Sequence, residues 1–516
     1  MKQSIGLLAV AAAFVVLPGC TTPFTYAPEH TLIFGSNGRP RVPISAPARA
    51  ESKQEFGALQ VDLREQSEDD YQRHVGDIFH AIGASAPPTK CPDIETPGVK
   101  RVLVYVHGGL INYGPALEQV SRMLNQPDDG RRIQDCFYPV FVNWRSSLVS
   151  SYSDHLFAVR QGRRQAVLAR LTSPFALADD VFNLPFGFLA STGELFSRGE
   201  GAIDPRIDAD KTCGRGMIAV PREHPQAETY KRAQQVIQKV IEDDPERGAR
   251  LRNGECKRSA AQNVRDYAQR VPFFVFKPVS AAAIDTFGEP ASRIMMRRTE
   301  LIFEPEGCLR KPTAEERARC RDWSLHGFFS RLAVEATAHT WEVTLIGHSM
   351  GAIVVTEALR RYPELEARNI VFMAAAAALE DYEDAILRGP RGGYLGEHTS
   401  TRFYHLTLHR LAEIRERQWL DAVPRGSLLQ WLDAFINRPT HERQLTAGRA
   451  LNIVPTLLDL PEGVVDQVHV KEFDYGDELP CDPQMHGEFN DMLFWRRAFW
   501  EPQPGEPLPE KICRLQ

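Results

Sequence analysis

The stretch from His339 to Leu359 has the sequence HTWEVTLIGHSMGAIVVTEAL, in which Ser349 lies between two glycines, Gly347 and Gly351. The apolar residues before the serine predict a buried strand, and the residues after Gly351 predict a helix. A serine at a sharp turn from a strand into a helix has its hydroxyl pushed clear of the sheet, and small flanking residues permit so tight a turn. The pattern alone also fits an ordinary strand and helix. The rest of the chain therefore has to supply a base, an acid and an oxyanion site.

The same alternation of strand and helix runs through much of the chain. Apolar runs predict further strands at Arg101–Val106, Cys136–Val142, Asn369–Ala378, Arg402–Leu408 and Asp466–Phe473. A helical pattern from Leu325 to Ala336 leads into the strand before Ser349. Strand and helix repeated in this way predict an α/β fold with a doubly wound, mostly parallel sheet.

A region of different character separates the strand at Cys136–Val142 from the strand before Ser349. The stretch from Phe175 to Phe196 is strongly apolar, but two aspartates, Asp179 and Asp180, and one proline, Pro185, interrupt it. Its longest uncharged part, Val181 to Gly193, has 13 residues, whereas a helix that spans a bilayer needs about 20. We expect a large, mainly helical insertion before the nucleophile strand. It forms either a cap over a cleft or the core of an inserted subdomain.

The expected organisation has five parts. These are a signal segment over 1–20, a flexible tether over 21–53, the N-terminal part of an α/β core over 54–149, the inserted region over 150–321, and the C-terminal part of the core over 322–516. The tether is inferred because the chain from Thr21 to Lys53 is rich in Pro, Ala, Ser and Thr and has no sustained periodicity.

The N-terminus has the features of a secretory signal. Lys2 is followed by an uncharged run from Ile5 to Leu17 and then by Pro18, Gly19 and Cys20. A cysteine directly after a small residue at the end of such a signal resembles the bacterial lipobox. The resemblance implies a lipid on Cys20 and a place in the bacterial cell envelope, facing the periplasm, with the outer membrane favoured over the inner. An ordinary cleaved signal with a chance cysteine is the alternative.

The remaining cysteines support export. Eight are left besides Cys20, and an even number in an exported chain predicts disulfides. Neighbours in sequence give the simplest pairing among about 105 alternatives. It joins Cys91 to Cys136, Cys213 to Cys256, Cys308 to Cys320, and Cys481 to Cys513. No two have the Cys-x-x-Cys spacing, so a zinc or redox centre is not expected.

Two motifs together resemble the α/β-hydrolase superfamily, specifically its esterases and lipases. They are Leu-Ile-Gly-His-Ser-Met-Gly around Ser349 and His-Gly-Gly-Leu at 107–110 after a strand. The resemblance covers roughly Val102–Asn143 and Val343–Trp500 and leaves the middle of the chain unmatched. It implies an α/β-hydrolase fold with Ser349 as the nucleophile. It also implies an oxyanion hole made by the N–H of Gly109 or Leu110 together with that of Met350.

The resemblance also implies a base and an acid. The family's chain order is serine, acid, histidine, with the histidine on a loop after the last strand. His486 is the only histidine downstream of the last predicted strand, so we expect it to be the base. The acid usually follows the preceding strand, where Glu413 comes first and Glu416 and Asp421 follow. Asp381, one strand earlier, is the alternative acid.

The resemblance therefore implies a serine hydrolase that cleaves carboxylic esters, with lipid-like esters expected, through a Ser-His-acid triad and an acyl-enzyme. An acyltransferase with the same triad and a catalytically silent envelope binding protein are the alternatives. No metal or organic cofactor is expected, and a formal net charge of −6 gives no reason to expect nucleic acid as a partner. The expected partners are an ester or lipid substrate and a membrane contacted through the lipid on Cys20. The sequence leaves the oligomeric state open.

Overall fold

The computed structural model describes most of the chain outside its N-terminal segment and a long central one. The described residues are 26–44, 53–55, 58–60, 62–88, 91, 98–127, 132–160, 163–197, 277–388, 393–416, 423–437, 439–458, 460–473, 475, 479, 481–501 and 513–515. The expected signal, the lipid site at Cys20, the candidate acid Asp421 and the cysteines at 213 and 256 lie outside these residues.

Parallel strands form the central sheet of the described chain. They are β1 (Thr31–Phe34), β2 (Arg101–Val106), β3 (Tyr138–Trp144), β4 (Glu342–His348), β5 (Ala367–Met373), β6 (Arg402–Thr407) and β7 (Val468–Glu472). The order across the sheet is β1-β3-β2-β4-β5-β6-β7, and every neighbouring pair is parallel. All six residues of β2 are buried, as expected for a strand covered on both faces. The predicted α/β class and parallel sheet are confirmed.

The strand order creates a crevice between β2 and β4. After β2 the chain steps to β3 on one side, whereas after β4 it steps through β5 and β6 to β7 on the other side. Because crossover connections between parallel strands are right-handed, connections in opposite directions lie on opposite faces of the sheet. The loops that follow β2 and β4 therefore diverge at the carboxyl edge. Ligands of open α/β sheets bind at such a point.

Helices surround this sheet. The longer ones are α1 (Glu68–Ala84), α2 (Tyr113–Leu124), α3 (Leu148–Phe157), α4 (Ala166–Ser197), α5 (Lys277–Leu301), α6 (Ala314–Asp322), α7 (Leu325–His339), α8 (Gly351–Arg361) and α9 (Ala450–Leu458). Short helical turns lie at Pro28–His30, Ile133–Asp135, Cys308–Arg310, Leu379–Tyr382, Glu383–Leu387, Gly393–Glu397, Arg410–Arg415, Leu428–Trp431, Leu432–Ile436, Glu442–Gln444, Glu462–Val465, His486–Asp491 and Arg497–Trp500. Short antiparallel pairs join Arg41–Pro43 to Leu63–Glu65, Lys53–Glu55 to Ala58–Gln60, and Val159–Arg160 to Arg163–Arg164.

The helix that leads into β4 shows why the predicted pattern holds. In α7, the residues at helical spacing from Leu325 to Ala336 are buried against the sheet. The hydroxyl of Ser324 accepts the N–H of His326 and so caps the first turn. Thr340 takes a left-handed conformation, with φ of 53°, and ends the helix directly before β4.

The insertion between β3 and β4 is mainly helical in its described part. It contains α3 to α7, and α5 packs against both α3 and α4. The apolar stretch from Phe175 to Phe196 lies in α4. Among the described residues, no helix is both long enough and apolar enough to cross a bilayer.

The expected tether over 21–53 is wrong for part of its length. Thr31–Phe34 forms β1, the edge strand of the central sheet, and its four residues are buried against β3. Arg41–Pro43 pairs with Leu63–Glu65. The run Thr-Leu-Ile-Phe is only four residues long and lies between segments rich in Pro and polar residues. A run this short does not predict a strand by itself. The segment forms a strand because it pairs with β3.

The strand predicted over Asn369–Ala378 is too long. β5 ends at Met373 because Ala374 has φ of 44° and turns the chain out of the sheet. The N–H of Ala376 then donates to the carbonyl of Ser349 at 3.0 Å. Alanines are apolar enough to resemble a buried strand, but here they form a turn packed beneath the serine.

Disulfides join neighbouring cysteines in the described residues. Cys91 is bonded to Cys136, Cys308 to Cys320, and Cys481 to Cys513, which confirms these predicted pairs. The fourth predicted pair, Cys213 with Cys256, lies outside the described residues. The bond between Cys481 and Cys513 encloses the segment that contains His486. It therefore ties that segment to the end of the described chain.

Candidate active site

Ser349 occupies a strained turn at the carboxyl end of β4. Its φ is 52°, a left-handed conformation that a residue with a side chain adopts at a cost of about 1–3 kcal/mol. A Cβ on Gly347 would lie 2.7 Å from the Cα of Ala352, and a Cβ on Gly351 would lie 2.0 Å from the carbonyl oxygen of Val106. Both glycines are required because the turn is pressed against its own helix and against β2. The Gly-x-Ser-x-Gly spacing is thus a steric requirement of this turn.

The hydroxyl of Ser349 is buried without a partner. The side chain is 1% exposed, and Oγ has no hydrogen bond to any described residue. The backbone is fixed, because the N–H of Ser349 donates to the carbonyl of Met373 at 2.9 Å. Buried hydroxyls are nearly always hydrogen-bonded, so an unpartnered one held on a rigid turn is available for a different interaction.

The loop after β2 lies directly against this serine. A Cβ on Gly108 would be 2.9 Å from the Cβ of Ser349, and a Cβ on Gly109 would be 2.5 Å from Sδ of Met350. The structure therefore brings together the two motifs that the sequence places more than two hundred residues apart. Glycine at 108 and 109 is what permits this close approach.

The amides of this loop differ in their availability. Leu110 has φ of 65°, and its N–H donates to the carbonyl of Ser146 at 2.8 Å. Among the described residues, no acceptor is found for the N–H of Gly109 or for that of Met350. Of the two loop donors considered from the sequence, Leu110 is therefore engaged in holding the loop. Gly109 and Met350 are the amides left for a developing negative charge.

His107 holds the loop, a role that the sequence analysis did not foresee. Its Nδ1–H donates to the carbonyl of Gly108 at 2.7 Å, and its Nε2 accepts the N–H of Trp144 at 3.1 Å. Burial lowers the pKa of His107 to about 4, so the ring is neutral and can play both parts. The hydroxyl of Ser146 also donates to the carbonyl of Gly108, at 3.2 Å. The loop after β2 is thereby fastened to the end of β3.

His486 lies in the helical turn His486–Asp491, which follows β7, and it contacts His348, the residue before Ser349. Nε2 of His348 donates to the carbonyl of His486 at 3.1 Å, and the centres of the two rings are 5.1 Å apart. Burial, with a smaller contribution from His348, lowers the pKa of His486 well below its usual range. The imidazole is therefore neutral and able to accept a proton. Neither ring nitrogen is hydrogen-bonded to a described residue, and Oγ of Ser349 does not reach it here.

Glu413 is buried in the turn after β6, as an acid would be, but its partner is an arginine. Oε2 of Glu413 lies 3.6 Å from Nε of Arg449, and both side chains are almost fully enclosed. Arg449 also donates to Asp433 at 2.9 Å. Two acidic side chains thus lie against one buried arginine. Burial raises the pKa of Glu413 well above its usual range, against the opposing effect of Arg449. No hydrogen bond joins Glu413 to His486 within the described residues.

Glu416 is the carboxylate that contacts His486. Its Oε2 accepts the backbone N–H of His486 at 2.9 Å, and its side chain is buried. In the sequence, Glu416 is one of the carboxylates that follow Glu413 in the same segment. Its position three residues after Glu413 puts both on one side of a helical turn, and this spacing was the available signal. Nothing in the sequence favours one of these two carboxylates as the residue that contacts His486.

Asp381 does not belong to the buried group. It lies in the helical turn Leu379–Tyr382, and its Oδ1 is 3.2 Å from Nη2 of Arg360. Both side chains of this ion pair are nearly half exposed. The alternative acid therefore lies at the protein surface, whereas Ser349 and His486 are buried.

The described residues contain no cluster of three or more His, Cys, Asp or Glu side chains that would hold a metal ion. Comparison of the chain with protein-family models, with curated proteins and with solved structures finds no match.

Proposed function

We propose that this protein is a serine hydrolase of the α/β-hydrolase type that cleaves carboxylic esters, with lipid-like esters as the expected substrates. One observation carries the proposal. The unpartnered hydroxyl of Ser349 lies on a left-handed turn at the switch point of a parallel sheet, beside the free amides of Gly109 and Met350. A nucleophile elbow with an adjacent oxyanion hole requires this arrangement.

In the proposed reaction, Oγ of Ser349 attacks the ester carbonyl while Nε2 of His486 takes the hydroxyl proton. The carbonyl oxygen becomes negative and accepts hydrogen bonds from the N–H groups of Gly109 and Met350. As the tetrahedral intermediate collapses, the bond to the alcohol breaks and His486 returns its proton to that alcohol. Water then attacks the acyl-enzyme by the same steps and regenerates Ser349.

His486 meets one requirement for a base, because its ring is neutral. A histidine that is already protonated cannot accept the serine proton, and burial lowers the pKa of His486 well below its usual range. The hydrogen bond between Ser349 and His486 has to form when substrate binds, as catalytic hydrogen bonds often do.

Two buried acidic residues are candidates for the acid of the triad. Glu413 follows from the resemblance, and Glu416 has the contact with His486. The proposal therefore assigns the nucleophile, the base and two oxyanion donors. Variants of Glu413, Glu416 and Asp381 decide which residue is the acid.

We also propose that the protein acts in a bacterial cell envelope, lipid-anchored through Cys20 and facing the periplasm. The disulfides among the described residues support export, because such bonds persist in oxidising compartments. Mass spectrometry of the mature protein should find a lipid on Cys20 and no free thiols without reductant. An unmodified N-terminus with reduced cysteines would contradict this part of the proposal.

Transfer of the acyl group to a second alcohol is the alternative reaction. Acyl transfer is favoured over hydrolysis when water is excluded from the site. The burial of both Ser349 and His486 therefore supports this alternative. Supplying acceptor alcohols with the ester and analysing products distinguishes the two reactions. Transesterified product in excess of free acid identifies transfer.

The deciding experiment labels the purified protein with a fluorophosphonate and measures hydrolysis of a chain-length series of esters. We expect Ser349→Ala to abolish labelling and to lower turnover by about 10³-fold or more, with unchanged folding. Ser292→Ala is the matched control, because Ser292 is also buried but donates to Asn437 at 3.1 Å outside this site. Wild-type turnover in Ser349→Ala, or no labelling of the wild type, would contradict the proposal.

A further inference from the structure

Helix α4 has its apolar side turned outward. Val167, Leu171, Phe175 and Phe182 follow one another at spacings that keep them on one face, and they are 78%, 71%, 75% and 72% exposed. A helix of a water-soluble body normally turns such a stripe toward the core and its polar side toward water. Contiguous exposed apolar surface of this kind marks a site of interaction with another apolar surface.

Polar contacts on the inner side hold α4 in this orientation. Ala169 and Asp180 lie on the opposite face of the helix and are buried. Oδ2 of Asp180 accepts the hydroxyl of Tyr152 at 2.8 Å and lies 3.4 Å from Nε2 of His155. Rotating α4 to bury its apolar stripe would expose Ala169 and break both contacts of Asp180. The outward apolar face is therefore a consequence of how α4 is packed on α3.

The rim of this face is basic at the N-terminal end of α4. Arg163 and Arg170 are exposed, and neither guanidinium has an ion pair or hydrogen bond with a described residue. Asp179 is the exposed carboxylate on the opposite rim. An apolar stripe beside unpaired arginines is the pattern of a helix that lies in the interface of an anionic bilayer. Another protein surface would need carboxylates to match these arginines, whereas lipid phosphates supply the negative charge directly.

We propose that the outward face of α4, defined by Val167, Leu168, Leu171 and Phe175, docks on an anionic phospholipid bilayer. The helix lies in the headgroup region, with the side chains of this face among the upper acyl carbons and Arg163 and Arg170 on phosphates. It does not cross the bilayer. This surface is separate from the lipid site proposed at Cys20, and the inference does not depend on the catalytic proposal.

The test measures hydrogen–deuterium exchange and vesicle binding of the full chain carrying Ser349→Ala. The vesicles are phosphatidylethanolamine and phosphatidylglycerol in equal amounts, or phosphatidylcholine alone. We expect the anionic vesicles to slow exchange in α4 and added salt to weaken the effect. Leu171→Ser and Phe175→Ser should each lower vesicle affinity by about tenfold, because each removes one side chain from the acyl region. Arg163→Gln and Arg170→Gln should each lower it by about fivefold, on anionic vesicles only.

Matched controls lie elsewhere on the surface. Leu309 is 72% exposed and outside α4, so Leu309→Ser should leave vesicle binding unchanged. Arg310→Gln is the corresponding control for charge. Equal vesicle binding in Leu171→Ser and the wild type would overturn the inference. The inference would also be overturned if the wild type were a dimer that Leu171→Ser dissociates. A clear fall in melting temperature for Phe175→Ser would overturn it as well. These last two results would assign the face to a second copy or to another segment of the chain.

Discussion

The candidate site has a proposed nucleophile side, around Ser349, Met350 and Gly109, and a proposed acid–base side, around His486 and Glu416. The two sides are built in different ways. The positions of Ser349, Met350 and Gly109 follow from the backbone, because two neighbouring strands end at one edge and glycines permit their loops to touch. The position of His486 depends on side chains and buried charges, namely its contacts with Glu416 and His348. Backbone geometry of this kind can be predicted from a sequence motif. Which of several nearby carboxylates contacts His486 cannot be predicted in that way.

The largest effect is expected from a single methyl group on the nucleophile side. A Cβ on Gly351 would lie 2.0 Å from the carbonyl oxygen of Val106, so Gly351→Ala has to move the backbone of the turn. We expect a loss of turnover similar to that of Ser349→Ala, about 10³-fold, and a loss of about 1–3 kcal/mol in unfolding free energy from overpacking. Ester hydrolysis and chemical denaturation measure the two effects.

Gly83→Ala is the matched control for that variant. Gly83 lies in α1, and a Cβ there would meet nothing within 4 Å. Alanine in a helix should leave turnover unchanged and raise stability slightly. Normal labelling of Gly351→Ala would mean that the turn tolerates a side chain, and that the backbone does not fix the nucleophile as described here.

A smaller effect is expected on the acid–base side, from loss of the anchor on His486. Glu416→Ala removes the acceptor of its backbone N–H, and we expect kcat to fall by about 10²-fold with KM nearly unchanged. Glu416→Gln retains an acceptor oxygen and should restore most of the turnover. That rescue separates a positioning role from a role of the charge itself, and steady-state kinetics of the three proteins measures it.

Glu413 and Asp381 complete this series. Because Glu413 is buried against Arg449, we expect Glu413→Gln to lower the free energy of unfolding clearly and to change kcat little. Asp381→Asn breaks a surface ion pair and should change stability by less than about 1 kcal/mol and leave turnover intact. Loss of kcat by about 10²–10⁴-fold in Glu413→Gln at normal stability would make Glu413 the triad acid. The same loss in Asp381→Asn would move the acid one strand earlier.

The sequence predicted the parts of the fold that have a strong local pattern. Continuous apolar runs marked β2 to β4 because both faces of those strands are buried. Neighbouring cysteines predicted three observed disulfides because short chain separations make those partners close in space. The motif around Ser349 and the loop at 107–110 were predicted for the same reason, since glycine at a tight turn is a local requirement.

The features that the sequence missed depend on distant partners. β1 has only four residues, and its place at the sheet edge is fixed by pairing with β3 more than a hundred residues away. The contact of Glu416 with His486 joins residues 70 positions apart. The engagement of the Leu110 amide by Ser146 likewise depends on how two loops fold together. No local pattern encodes such pairings, because they are set by tertiary packing.

The disulfide between Cys481 and Cys513 is expected to help hold the segment that contains His486. Cys481→Ser with Cys513→Ser removes the bond that encloses this segment, where Leu493 N–H also donates to the carbonyl of Cys513 at 2.9 Å. We expect a loss of about 2 kcal/mol in unfolding free energy and a fall in kcat of about tenfold. Cys308→Ser with Cys320→Ser is the control, with a similar loss of stability at normal kcat. Equal kcat values in the two double variants would mean that the bond does not position His486.

The smallest effect per residue is expected from the buried histidines His107, His348 and His405. Burial lowers the pKa of His107, His348 and His405 to about 4, against about 6.5 in an unfolded chain. Between these values the unfolded chain binds more protons than the folded one, so acid favours unfolding. The stabilisation is complete above pH 6.5 and is lost as the pH falls toward 4.

Lowering the pH from 7 to 6 should lower the free energy of unfolding by about 0.7 kcal/mol for each of these histidines, because of proton linkage. Denaturant unfolding at the two pH values and constant ionic strength measures the total. His405→Gln should reduce the difference by one histidine's share, because a glutamine at 405 can still donate to the carbonyl of Ala447, as Nε2 of His405 does at 3.0 Å. His339→Gln controls for loss of an exposed imidazole. An unfolding free energy that rises from pH 7 to pH 6 would mean that these rings become charged in the folded protein. The neutral state assigned to His107 and His348 beside Ser349 would then be wrong.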